Sequence, residues 1–237
     1  LRIFPYDYKW KDSNTLVFNA SGAESNYVIT YDIPSNKVIS YFKMDGSGLN
    51  QVVSEKGDVM AWLKDNNIYI TDVNGKVTQI TNDAAGFLNG SDYTHRQEFG
   101  IDRGMWWNPT ANQLAFYKKN ETMVTDYPLV QFDTRIAEVK NTKYPMAGMK
   151  SEEVTLNVYD VNTGKTITIQ TGEPKEQYLT QITWDPSGKY IYIGVLNRDQ
   201  NHLKLNKYDA SNGKFVSTLF EEKSTKFTEI NSQKIQA

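Results

Sequence analysis

The stretch Ile182-Thr183-Trp184-Asp185-Pro186-Ser187-Gly188, running into Tyr190-Ile191-Tyr192-Ile193-Gly194-Val195, decides the fold. It continues through His202-Leu203-Lys204-Leu205-Asn206-Lys207-Tyr208, turns at Asp209-Ala210-Ser211-Asn212-Gly213, and ends in Phe215-Val216-Ser217-Thr218-Leu219. Each run has strand length and is rich in β-branched and aromatic residues, which suit a pleated surface. Pro and Gly set the tight turn before the second strand, and Asn-Gly supplies the positive φ that a hairpin turn requires. The unit therefore reads as four short antiparallel strands.

The same theme recurs upstream. Trp107-Asn108-Pro109-Thr110 matches Trp184-Asp185-Pro186-Ser187, Leu114-Ala115-Phe116-Tyr117 matches the following strand, and Asn157-Val158-Tyr159-Asp160-Val161-Asn162-Thr163-Gly164-Lys165 supplies the hairpin. Ser54-Glu55-Lys56-Gly57 leads into Val59-Met60-Ala61-Trp62, and Ile68 to Lys76 closes that copy around Asp72 and Asn74-Gly75. The first copy opens at Trp10-Lys11-Asp12-Ser13 and closes at Asp32-Ile33-Pro34-Ser35-Asn36.

Unit starts at Trp10, Ser54, Trp107 and Trp184 lie 44, 53 and 77 residues apart. A four-stranded unit repeating every ~40–50 residues is the signature of a propeller. The reading is an all-β chain, a partial β-propeller of about four four-stranded antiparallel blades, spanning approximately 1–45, 46–90, 91–175 and 176–222. The long third interval holds an insertion, roughly 119–150, that reads as a polar, irregular loop with enough Tyr, Pro, Met and Phe for a contact surface. The segment from Glu221 to Ala237 is charged and weakly patterned, and reads as the start of a further blade or a frayed end.

Composition bounds the function. The net charge of −2 over 237 residues shows no footprint for nucleic acid or anionic lipid. No apolar run approaches the ~20 residues needed to cross a bilayer. Leu1-Arg2-Ile3-Phe4-Pro5 lacks the shape of a signal peptide. With no cysteine, neither a disulfide framework nor thiolate chemistry is available. His95 and His202 stand far apart without ligand-like spacing, so neither a metal site nor a cofactor is expected.

One stretch with a single acidic residue invites a role. In Thr94-His95-Arg96-Gln97-Glu98-Phe99-Gly100-Ile101, a carboxylate stands immediately ahead of the aromatic strand at Trp106-Trp107. A lone carboxylate on a rigid β framework can hold a cation such as a peptide's free amino terminus. The bland reading pairs Glu98 with Arg96 or Arg103, or leaves it solvated. Arg96 is a surface cation or a fork that orients Glu98 or a substrate carbonyl, and His95 reads as a partly exposed packing residue. Trp62, Trp106, Trp107 and Trp184 read as core anchors.

Those strings, with Tyr144-Pro145-Met146-Ala147-Gly148, Gln170 to Glu176 and Val195-Leu196-Asn197-Arg198-Asp199-Gln200-Asn201, resemble the dipeptidyl peptidase IV branch of the prolyl oligopeptidase-type serine peptidases. The bacterial prolyl tripeptidyl peptidase subgroup is the nearest in pattern. The resemblance covers about Val52 to Glu222 and implies an eight-bladed propeller capping an α/β-hydrolase domain, of which this chain is the N-terminal part. The family nucleophile sits in a Gly-x-Ser-x-Gly elbow, and no such string occurs here. Without the Ser-Asp-His triad the chain is expected to be inactive alone.

The resemblance also implies a site. Family dipeptidyl peptidases grip the substrate's α-ammonium with two adjacent glutamates, and the matching positions here are Arg96 and Gln97. Glu98 is the acid that remains, as in the tripeptidyl version, and would act as a ruler measuring from the amino terminus to the scissile bond. Glu121 falls where relatives carry an acid after the Trp-Trp segment. The insertion resembles a propeller arm used for homodimer contacts, with Tyr127, Pro128, Tyr144 and Pro145 as anchors. The implied partners are a peptide with a free N-terminus and a proline near it, a C-terminal hydrolase domain and a second copy; the implied location is periplasmic or secreted. A stand-alone peptide- or glycan-binding module, or an inert framework, are the competing readings. Open blade faces are further expected to drive association.

Overall fold

The computed structural model describes residues 4–22, 25–44 and 49–228. They form the expected partial β-propeller, an all-β assembly of antiparallel sheets. The first sheet contains β1 (Phe4–Trp10), β2 (Thr15–Ser21), β3 (Asn26–Asp32) and β4 (Lys37–Met44), in that order. The second contains β5 (Leu49–Val53), β6 (Val59–Lys64), β7 (Asn67–Asp72) and β8 (Val77–Gln79). The third is built from β9 (Phe87–Asn89), β10 (Met105–Trp107), β11 (Gln113–Asn120), β14 (Glu153–Asp160) and β15 (Lys165–Thr168). The fourth contains β16 (Gln177–Trp184), β17 (Tyr190–Asn197), β18 (His202–Asp209) and β19 (Phe215–Lys223). A separate hairpin, β12 (Asp126–Gln131) with β13 (Glu138–Lys143), leaves the third sheet between β11 and β14.

Two local devices repeat because the same side chains recur. At the turn between first and second strands, Asp12, Ser54, Asn108 and Asp185 each accept backbone N–H bonds from the start of the next strand. At the turn between third and fourth strands, Asp32, Asp72, Asp160 and Asp209 accept N–H bonds from within the turn itself. These are Asx-type turns, which close the chain with a side chain in place of a backbone partner. Hydrogen bonds from Asn14 hold Asp12 below the ordinary carboxylate range, and those from Ser35 and Ser211 do so for Asp32 and Asp209. For Asp185, burial pushes upward but the bonds from Tyr190 and Ser187 outweigh it. The hairpin glycines Gly75, Gly164 and Gly213 have φ of 78°, 68° and 73°, and Asn36 takes the same left-handed region at 54°.

Three apolar cores fill the gaps between successive sheets. Val17, Val28, Phe42 and Met60 lie between the first and second; Leu63, Ile68, Trp107, Leu114 and Phe116 between the second and third; Tyr117, Leu156, Leu179, Trp184 and Ile191 between the third and fourth. Indoles tie the first strands together: Trp107 Nε1 donates to Val52 O at 2.9 Å, and Trp184 Nε1 to Trp106 O at 3.1 Å. Trp107 and Trp184 are buried, while Trp62 and Trp106 pack against the cores half-buried. The fourth strands, by contrast, are largely exposed. By the order of a propeller blade, the first strand of each sheet forms the inner edge and the fourth strand the outer.

The structure corrects the reading of the insertion. It is an ordered hairpin paired from Asp126↔Lys143 to Gln131↔Glu138, not an irregular loop. Phe87–Asn89, within the second unit by sequence spacing, pairs with β11 of the third sheet. Residues Glu221 to Lys223 complete β19, and Thr228 N–H returns to Gln200 O, so this part of the charged tail belongs to the fourth sheet; residues 229–237 lie outside the described part.

Candidate functional site

The first strand of the third sheet is broken in two. β10 pairs with Leu114–Phe116 of β11, and β9 pairs with Lys118–Asn120 of the same edge. Tyr117 stands at the break: Gly90 N–H donates to its carbonyl at 2.7 Å, and its own N–H donates to Gly104 O at 3.0 Å. Everything between Gly90 and Gly104 leaves the sheet through this neck. A methyl on Gly104 would stand 2.3 Å from Ser91 O and 2.4 Å from Gly90 C, so only glycine permits the two arms to close.

The excursion carries a 3-10 segment, Thr94–Gly100, with Glu98 inside it. Glu98 thus stands in a short helical turn rather than directly ahead of a strand. Its side chain is exposed, and among the described side chains no ion pair reaches it. Arg103 instead faces Asp102 at 3.8 Å. The side chains of Arg96 and Gln97 lie outside the described part; their backbone continues the 3-10 segment. Left-handed backbone brackets the acid, with φ of 49° at His95 and 58° at Phe99. For residues with a Cβ this conformation costs roughly 1–2 kcal/mol each, so surrounding contacts must enforce it.

Those contacts come from the fourth sheet. His95, expected to be partly exposed, is buried, with 4% exposure. Its Nε2 accepts the Leu179 N–H at 3.2 Å, which places the imidazole proton on Nδ1. Tyr117 Oη donates to Leu179 O at 2.5 Å. Both free backbone groups of Leu179, on the inner edge strand β16, are thereby satisfied by the third sheet. Burial first, then the nearby charges of Lys119 and Arg198, lowers the His95 pKa from 6.5 to about 3. Burial alone raises that of Tyr117.

This gives the first expected result. Above pH 6.5 His95 is neutral in both folded and unfolded chains; below it only the unfolded chain gains the proton readily. Stability is therefore lost as pH falls from 6.5 towards 3. Urea unfolding followed across that range checks this, and His95→Gln, which can still accept a hydrogen bond but does not titrate, flattens the slope.

Glu121 is brought to the base of the same segment. It pairs with the buried Lys119 at 3.2 Å, and the Lys119 ammonium lies 5.7 Å from the Tyr93 ring, next to Thr94. Tyr127 and Tyr144 meet at the root of the β12–β13 hairpin with ring centroids 5.8 Å apart. Pro128 pairs opposite Asn141 and is exposed, and Pro145 is half-buried. The hairpin exposes Phe132 and Ile136 near its tip. Sequence reasoning missed Tyr178, Lys119 and Arg198 as parts of the site; Arg198 stood in a quoted string, but no local signal marked its partner.

The geometry defines a class: a propeller portion whose inner edge is opened to display an acidic turn. The chain belongs to the dipeptidyl peptidase IV (DPP IV) N-terminal region family, whose model matches residues 13–236. It is 31% identical over 190 residues to a probable dipeptidyl-aminopeptidase B of Tuber melanosporum, covering 69% of this chain and 21% of the relative. Against the corresponding protein of Sclerotinia sclerotiorum it is 28% identical over 222 residues, covering 85% and 23%. Among solved structures, a putative dipeptidyl aminopeptidase IV from Bacteroides ovatus superposes with a TM-score of 0.80 at 38% identity, over 95% of this chain and 31% of the other. Porphyromonas gingivalis dipeptidyl peptidase 4 shares the fold, with a TM-score of 0.71 at 22% identity over 94% and 33%. The chain spans about a fifth of the curated relatives and about a third of the solved chains.

Proposed function

We propose that this chain is the non-catalytic propeller portion of a post-proline exopeptidase, in which it gates substrate entry and Glu98 holds the peptide's free amino terminus. The observation that carries this reading is the interrupted inner strand, which gives up regular pairing to present an exposed carboxylate on a strained turn. Backbone strain of this kind is retained where position matters more than local stability. Membership of a family whose relatives are named as dipeptidyl aminopeptidases supports it.

In this reading Glu98 accepts charge-assisted hydrogen bonds from the α-ammonium while the scissile bond lies in a C-terminal hydrolase domain, which supplies the Ser-Asp-His triad. The fixed span between the two selects peptides by length. Arg96 and Gln97 border the acid, and Glu121, neutralised by Lys119, shapes its base. The β12–β13 hairpin, through Tyr127, Pro128, Tyr144 and Pro145, is proposed as a contact with a second copy, since a two-stranded hairpin alone is marginal in water. A periplasmic or secreted setting suits a peptide-trimming enzyme.

Calorimetric titration of proline-containing tripeptides tests the recognition step. Glu98→Gln is expected to weaken binding of the free-amine peptide by about 1.5–3 kcal/mol, roughly ten- to a hundred-fold, and to leave the weak binding of its N-acetylated form unchanged. Equal affinity of wild type for the two forms would end this reading.

A further inference from the structure

One ring from the fourth sheet touches both strained residues that bracket Glu98. The Tyr178 ring, on β16, meets the edge of Phe99 at 4.9 Å and 61°, and of His95 at 5.3 Å and 69°. It also meets Arg198, in the turn between β17 and β18. The guanidinium carbon lies 5.4 Å from the ring centroid, and Nη1 donates to the Tyr178 hydroxyl. That turn is itself braced, because Asn197 Oδ1 accepts the N–H groups of Asn201 and His202 at 3.0 and 2.9 Å.

The order of contacts is directional. The braced turn fixes Arg198, Arg198 fixes the Tyr178 ring, and the ring holds His95 three residues before Glu98 and Phe99 one residue after it. Edge-on aromatic contacts of this kind are specific in angle as well as favourable, so the ring sets an orientation rather than merely filling space. A guanidinium that stacks and donates at once fixes its partner in a way an ammonium cannot. No other described ring meets both His95 and Phe99.

We infer that Tyr178 and Arg198 are positioning residues: together they form a clamp, supplied by the neighbouring sheet, that holds the acidic turn in the conformation presenting Glu98. The inference rests on the amino-terminus reading for its purpose, but not for its physical test. It also locates control of the site outside the sheet that carries the acid, so a shift of the fourth sheet against the third relocates Glu98.

Amide hydrogen exchange on the 237-residue chain, read over residues 95–101, is the test. Tyr178→Leu is expected to accelerate exchange there by about tenfold while the second sheet keeps its protection; Arg198→Lys, on an exposed side chain that tolerates replacement, gives a smaller acceleration of about threefold. Affinity for alanyl-alanyl-proline with a free amine falls in the same order, and Tyr178→Phe, which keeps the ring, recovers most of both. Unchanged exchange over 95–101 in folded Tyr178→Leu and Arg198→Lys overturns the clamp. So does an Arg198→Lys variant that keeps full affinity and exchange, because Arg198 would then act only as a charge. Glu98→Gln leaves exchange unaltered, so a failed peptide experiment is told apart from a failed clamp.

Discussion

Gly104→Ala is expected to lower the unfolding free energy by about 3 kcal/mol, at the upper end for overpacking by one methyl group. The atoms that the new methyl would meet, Ser91 O at 2.3 Å and Gly90 C and O at 2.4 and 2.5 Å, are all backbone. No flexible side chain can swing aside. Relief requires parting the two arms of the excursion, which breaks the pairing of Tyr117 with Gly90 and Gly104. Gly75→Ala is the control: nothing lies within 4 Å of its added methyl, and only its φ of 78° opposes the change. Its cost should be about 1–2 kcal/mol. Urea denaturation of both variants checks the difference, and similar losses would mean the neck has room to open.

The second large effect is expected at Tyr117, which is 1% exposed. Tyr117→Ala removes a ring set edge-on to Trp106 at 4.9 Å and leaves Leu179 O without its donor. Truncation of a buried aromatic costs about 3–5 kcal/mol, and the orphaned carbonyl places this site in the upper half of that range. Tyr117→Phe separates the parts, keeping the ring and losing only the hydroxyl, for about 1–2 kcal/mol. The two denaturation midpoints should therefore differ clearly. Loss of comparable size in both would make the hydrogen bond, not packing, the dominant contribution.

The repeat was legible because its turn chemistry is local. Asp185 and Asn108 close bonds within five residues of themselves, and Asp32, Asp72, Asp160 and Asp209 do so within four. Such signals survive in a single sequence. Trp62, Trp106, Trp107 and Trp184 were legible as anchors for a related reason, since strand tryptophans mostly anchor packing, although Trp10 in β1 is exposed. The hairpin at 126–143 was not, because its turn, Phe132-Asp133-Thr134-Arg135-Ile136-Ala137, has no Gly or Asn to announce it.

Less of the site could be read. Glu98 was marked by its sequence neighbours, yet what holds it is remote: the His95 bond to Leu179 spans 84 residues, and the Tyr117 bond to Leu179 spans 62. No periodicity reports a contact of that kind. β9 and β10 have three residues each, too few to show an alternation, so the division of one strand position between them was invisible. The burial of Lys119 follows from a similar cause: its Glu121 partner is two residues away, but the Tyr93 ring reaches its ammonium only once the excursion folds back.

Because Tyr117 bonds to both arms at their base, the sheet keeps its alignment whatever lies beyond the constriction. That makes the outer part of the piece between the two glycines an exchangeable cassette, provided that His95 and Ile101, which bond to and pack against the fourth sheet, are kept. The length and chemistry around Glu98 can then be redrawn by grafting.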